Sequence, residues 1–440
     1  MYKEETRAII EKAMANTSFY ATAILTASQQ GTTRFANSEI SQNVTITDAN
    51  LKLTLYNGKR QASCSTNVLT DEGLKQLVQH AEALLAHVPE GEFEAFPFST
   101  EAIQETVPNK DLANAFTTQK RAELIKAGLA EVAESEGYTA AGALVLTEQT
   151  IAVGNRDGII HHANITDVTF NTVVTHQDGT AGAGQCISYS DVPDILAEFK
   201  KAQATAKAAH NPVEPELGAH TVILSPAAFS DLISFAAMML NAKAVDDGRS
   251  FAAGKLGQKV FGDNLTITDD FTNAALYPLP FDMEGNPRRK INLVENGVLS
   301  SYVYDNVRAK KHGVQPTGHA ITATFFSGAM PVNIVVDAGT QSLDEMIAST
   351  PKGIFINEFH YTNFTNARKL QVTGLTRNGA FLIENGKLTK PMATVRLTES
   401  LLDAFNQITA ISKERTLISE FAASLVPAVR IENFHFTSKP

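Results

Sequence analysis

The side chains best suited to metal binding or nucleophilic work in this sequence are eleven histidines and two cysteines. His80 and His87 stand seven apart with Glu82 between them, inside a stretch whose apolar spacing predicts a helix over 71–87. They share a helix face but lie two turns apart, too far for one ion, and read as solvated or capping residues; His87 also suits the helix C-terminal dipole. His161 and His162 are adjacent, so in a strand they point to opposite faces. Glu358 and His360 fall on one face of a predicted strand and meet His312 or His319 only if the fold joins distant segments. Cys186 has no histidine partner in its local sequence and reads as a buried structural thiol.

Other sources of chemistry are missing. There is no Gly-x-Ser-x-Gly elbow, and Gly379 to Lys387 reads as a hairpin because its glycine spacing is too long for a phosphate loop. Gly182-x-Gly184 lacks the third glycine of a dinucleotide fingerprint. Lys and Arg number 37 against 47 Asp and Glu, a net charge of −10 without a dense basic run, which argues against direct nucleic-acid binding. No apolar segment reaches the ~20 residues of a membrane span, and Met1 to Thr6 has no hydrophobic signal region; with only Cys64 and Cys186, these features predict a cytoplasmic protein.

The elements that must position any site follow from periodicity. Helices are predicted over 3–15, 71–87, about 120–135 and about 193–207. Strand-like runs occur at 21–25, 33–40, 43–47, 142–146, 150–154 and 158–174, and Asn57-Gly58 predicts a type I′ hairpin turn. Residues 89–109 read as a connector and 177–184 as a small-residue loop. Further on, Asn296-Gly297, Asn378-Gly379 and Asn385-Gly386 signal recurring hairpins. The expected fold class is α+β, a helix-and-hairpin N-terminal domain (1–211, in two parts of about 1–88 and 110–211) followed by a β-rich C-terminal domain (212–440) with a large antiparallel or mixed sheet.

At the centre of that second domain Thr221 to Leu224 predicts a buried strand, and Ser225-Pro226 supplies a helix N-cap and first-turn proline. From Ala227 to Val245 the only ionisable side chains are Asp231 and Lys243, so the expected helix is buried in the core or against a partner. After it come Gly248-Arg249-Ser250-Phe251, Gly254-Lys255-Leu256-Gly257, Thr266 to Asp270, Phe281-Asp282-Met283-Glu284-Gly285, Leu293 to Leu299 and Pro316-Thr317-Gly318. This order, together with Arg34 to Glu39 near the start, resembles the PmbA/TldD family, also called the modulator of DNA gyrase family, whose members form a two-subunit TldD/TldE metalloprotease.

In the catalytic subunit of that family the corresponding helix carries His-Glu-x-x-x-His, two zinc ligands and a carboxylate suited to activate metal-bound water. Here the same window reads Ser234-Phe235-Ala236-Ala237-Met238-Met239, and the late segment Glu414 to Ile418, where the zinc-bearing relatives have a ligating cysteine, has none. The resemblance therefore is to the metal-free PmbA/TldE-type subunit, with no catalytic or metal-ligating residue of its own. It implies a heterodimer with a TldD-like catalytic subunit, or a homodimer, enclosing a chamber for unfolded peptides, with zinc only in the partner. Ser234, Phe235, Met238, Met239 and Arg249 are the candidate channel residues. For the two methionines core packing is the competing reading, and for Arg249 a bridge to Asp246 or Asp247. A homo-oligomeric peptide-binding or adaptor protein, or a self-sufficient peptidase using another site, are the alternatives.

Overall fold

A computed structural model describes residues 3–91, 94–214, 216–321, 328–419 and 422–439. Strands outweigh helices, about 44% against 24%, which makes the chain α+β as expected. The expected connector 89–109 is described apart from 92 and 93, and Pro215 of the stretch joining the halves also lies outside the described residues.

The first half is one antiparallel sheet of six strands in the order Arg60–Thr66, Glu39–Asn57, Tyr20–Ala36, Tyr138–Asn155, Ile160–His176 and Ala181–Ser188. Alternation sorts its side chains. Ala23, Leu25, Leu53 and Ala152 face helices Lys3–Ala15 and Asp71–Leu85, and farther along the same face Leu144 and Phe170 meet helices Thr118–Ala133 and Ile195–Ala208. The opposite face presents Ile24, Ile151, Val153 and Ile165 to Phe98, Leu279 and Phe281, so a loop of the second half closes the core of the first.

In the second half the hydrogen-bonded ladder returns to its start. Gly218–Leu224 pairs with Lys352–Asn366, then Gln371–Glu384, Arg396–Ser400 and Ala423–Ser438, and the last pairs back onto Gly218–Leu224. The long strand Ala423–Ser438 also carries Ile408–Ser419 along one side and Asn333–Val336 on the other. Five strands so closed leave no edge between them to pair with another chain. The central helix, Pro226–Met238, packs on Lys352–Asn366, Ala423–Ser438 and Ile408–Ser419.

Several local expectations are corrected. Residues 33–40 are not one strand: Asn37 and Ser38 both have positive φ (51° and 60°) and turn the chain, with Ala36 paired to Glu39. The next turn is Gly58-Lys59 between paired Asn57 and Arg60, with only the glycine at positive φ, the type II′ pattern. The stretch 177–184 does not stay a loop, because Ala181–Ser188 is a strand whose glycines serve packing: a Cβ on Gly182 or Gly184 would lie 2.2 Å from a backbone oxygen of helix Ile195–Ala208. Asn378-Gly379 is a bulge inside Gln371–Glu384, where the register jumps between Ile356 and Glu358, while Asn296-Gly297 and Asn385-Gly386 are turns as expected.

Candidate functional site

Ser225 starts the central helix as expected, its hydroxyl oxygen accepting from the Ala228 N–H at 3.2 Å, and Pro226 takes the first turn. Every residue from Ala228 to Met238 is buried. The helix stops earlier than its apolar run: Asn241 donates to the Met238 carbonyl at 2.8 Å and accepts from the Ala244 N–H at 2.7 Å, starting the separate short helix Ala242–Asp246. A side chain able to bond both ways ends one helix and caps the next.

Within the helix, Ser234 is 3% exposed and its hydroxyl has no hydrogen-bond partner among the described residues. Phe235 packs edge-on against Phe364 with ring centroids 4.9 Å apart, and Met238, at the end of the helix, is buried. Met239 is partly buried against the same core, its carbonyl accepting from the Ser250 hydroxyl at 2.6 Å. Asp231, one turn before Ser234, accepts from the Thr362 hydroxyl. The Arg249 side chain is 65% exposed and donates to Asp247 at 2.8 Å; Lys243 donates to the same carboxylate oxygen. Neighbouring Asp246 receives Lys311 at 2.8 Å and His312 at 2.9 Å.

At the other end of the helix, Ser225, Pro226 and Ala227 line a cavity of about 390 Å³ with Phe355, Glu358, Glu414 and Thr416, and Lys201 and Gln185 reach it from the first half. That volume lies in the range of small-molecule and peptide side-chain sites. Glu358 there accepts from the Asn378 side chain. The cavity contains Glu414 to Ile418 positions but none of Ser234, Phe235, Met238, Met239 or Arg249.

Two buried charge clusters lie beyond the helix. Asp269 accepts from the Val332 and Asn333 N–H groups at 2.7 and 3.0 Å, with Arg288 at 3.2 Å and His319 at 3.0 Å. Burial alone would raise its pKa, but His319 and Arg288 hold the carboxyl well below the usual range. In the Phe281-to-Gly285 loop, Asp282 accepts from the N–H groups of Glu284, Asn286 and Ala320, and Glu284 accepts from Asn306 at 2.8 Å. Burial first, and the Asp282 charge second, push the Glu284 carboxyl up to about 8. Phe98 covers this loop so closely that a Cβ on Gly285, whose φ is +75°, would lie 2.3 Å from its ring.

The remaining histidines are dispersed. His80 is exposed on helix Asp71–Leu85, and His87, also exposed, lies past its end, because the helix predicted to 87 stops at Leu85 with Ala86 as its C-cap. His161 and His162 do point to opposite faces, the former between Phe98 and Phe281, and burial keeps both imidazoles below their ordinary pKa. Among the described residues the fold does not gather Glu358, His360, His312 and His319 into a metal-sized group. Cys186 is packed against the first-half core, and burial pushes its thiol up to about 12, the reverse of what a nucleophile needs.

Two domain profiles match this chain: the PmbA/TldA metallopeptidase C-terminal domain over residues 217–438 and the PmbA/TldA metallopeptidase domain 1 over residues 21–85. The chain belongs to the PmbA/TldA metallopeptidase family. Among its relatives, the metalloprotease TldD homolog of Buchnera aphidicola is 30% identical over 173 residues, 38% of this chain and 35% of that protein. The metalloprotease PmbA homolog of Haemophilus influenzae is 26% identical over 186 residues, 42% and 39% of the two chains. The matched stretch thus spans little more than a third of either relative. Among solved structures, TldE from Thermococcus kodakarensis superposes with a TM-score of 0.87 at 20% identity, covering 98% of this chain and 99% of that one. A Bacteroides thetaiotaomicron protein bearing the modulator-of-DNA-gyrase name gives 0.86 at 21% identity, covering 99% of both. At that identity the agreement concerns the fold.

The metallopeptidase name raises the question of a metal. The window in which the resemblance to catalytic relatives would place zinc ligands holds Ser234, Phe235 and Met239: one buried hydroxyl, a phenyl ring engaged with Phe364, and a thioether against the core. This donor set does not fit Zn²⁺, which takes imidazole, thiolate or carboxylate, and offers no group to accept a proton from water.

Proposed function

We propose that this chain is the non-catalytic subunit of a TldD/TldE-type zinc metalloprotease, shaping the chamber and guiding unfolded peptides to the active site of a catalytic partner. One observation carries the reading: the helix that holds zinc ligands in catalytic relatives is here filled with apolar packing, Phe235 on Phe364 above all. The likeness to TldE along nearly the whole chain supports it. Ser234, Phe235, Met238 and Met239 then act as packing under the chamber wall, and Arg249, exposed and tied to Asp247, is the channel candidate free to meet a peptide carbonyl or carboxylate. Zinc belongs to the partner in this assignment.

The test uses the purified chain and a catalytic relative carrying His-Glu-x-x-x-His from the same cells. The chain alone should leave an unfolded peptide uncut with or without chelator, and mixing it with the relative should give a stable heterodimer with chelator-sensitive cleavage. Chelator-sensitive cleavage by the chain alone would establish a self-sufficient peptidase instead. Failure to bind the relative, with stable self-association, would favour the adaptor.

A further inference from the structure

The strand Ile160–His176 ends on a histidine, the turn to Ala181–Ser188 carries Asp178, and helix Ile195–Ala208 ends two residues before His210. Gly182 and Gly184 let that helix lie directly on the strand pair, which brings its end to the turn. His210 Nδ1 sits 2.6 Å from Asp178 Oδ2, and His176 Nδ1 sits 3.0 Å from Asp178 Oδ1. The two imidazole rings meet edge-to-face with centroids 4.4 Å apart. All three donor atoms lie within 4.8 Å of one another, and both histidines are partly buried while Asp178 faces solvent. On its far side His210 Nε2 is 2.5 Å from the Tyr138 hydroxyl. Thr180 holds the carboxylate through its hydroxyl, at 2.6 Å, and its N–H, at 2.9 Å.

We propose that His176, Asp178 and His210 form a binding site for a divalent transition ion of the zinc type, separate from the peptidase chemistry. Two imidazoles and one carboxylate are the ligands such an ion takes, at about 2.0–2.2 Å each, with a fourth position left to water. Tetrahedral bonds of that length set donors about 3.4 Å apart, so the ion replaces the direct contacts between Asp178 and the imidazoles, each ring then carrying its proton on Nε2. With Nδ1 of His210 on the metal, its Nε2–H donates to the Tyr138 oxygen, the outer contact that fixes a ligating histidine. Thr180 does the same for the carboxylate. The bound ion clasps the 177–180 turn to the residues that follow helix Ile195–Ala208, and so fastens the end of that helix to the sheet of the first half.

The full-length protein, stripped with EDTA and exchanged into chelator-free buffer, is titrated with Zn²⁺ by calorimetry and with Co²⁺ by visible absorption. The expected result is one equivalent bound, a Co²⁺ spectrum of a nitrogen- and oxygen-ligated site, a rise in Tm with Zn²⁺, and no competition from Mg²⁺ or Ca²⁺. The double variant His176→Gln/His210→Gln, checked by far-UV circular dichroism, should lose this binding. Tyr138→Phe should keep the site and weaken it about tenfold. If the double variant fails to fold, zinc-induced shifts of the His176 and His210 imidazole resonances in the native chain decide. No binding by the native chain, equal binding by the double variant, or shifts confined to other histidines would overturn the site and leave a hydrogen-bonded turn. None of these readouts depends on peptidase activity.

Discussion

Ser234 and Phe235, one helical position apart, make opposite predictions. The Ser234 hydroxyl is buried with no partner among the described residues, so Ser234→Ala removes an uncompensated polar group and should leave stability unchanged or raise it by up to about 1 kcal/mol. Phe235→Ala empties a packed ring site and should cost about 3–5 kcal/mol. Urea denaturation of the two variants checks both. Glu284 gives a pH dependence. Its carboxyl is raised from 4.5 to about 8 in the folded chain, so between those values the folded state holds a proton that the unfolded state has released. Raising the pH through that window therefore costs stability, on the order of a few kcal/mol. Glu284→Gln keeps an acceptor for the Asn306 N–H and should flatten the fall of Tm between pH 5 and 8. The hydroxyl, phenyl and thioether side chains at Ser234, Phe235 and Met239 were legible from residue types alone, but their burial and the packing of Phe235 on Phe364 were not. The His176–Asp178–His210 group was not, because a spacing of 32 residues between Asp178 and His210 has no local signature.

At the scale of elements, glycines that read as flexibility in the sequence turn out to set contact distances. Gly182→Ala places a methyl group 2.2 Å from the Ala202 carbonyl oxygen, backbone that cannot swing aside. It should push helix Ile195–Ala208 off the sheet and cost at least about 2 kcal/mol, measured by thermal unfolding, whereas Gly179→Ala in the adjoining open turn meets no atom and should cost only its positive-φ strain, about 1 kcal/mol. The helix start at Ser225-Pro226 and the turn at Asn296-Gly297 were readable because capping and αL preferences are local. The break at Asn241 was hidden by the apolar run on both sides of it, and the Asn378-Gly379 bulge looked like a hairpin because the same dipeptide satisfies both geometries.

For the whole molecule, the α+β class followed from composition and turn signals, but closure of the second sheet did not. Nothing local in Gly218–Leu224 announces that its partner is Ala423–Ser438, some two hundred residues away. That strand bonds to four others, so a chain stopped after Ala422 should lose the second half as a unit, seen as loss of protection of residues 217–400 from limited proteolysis. The first sheet is complete by Ser188 and needs only the 277–283 loop to cover its outer face. Synthesis from the N-terminus therefore leaves the ribosome with a first half ready to collapse and a second half waiting on its final strand. While translation continues, Gly218–Leu224 lacks the neighbour that shields one of its sides, and this nascent interval is when the polypeptide most needs a chaperone.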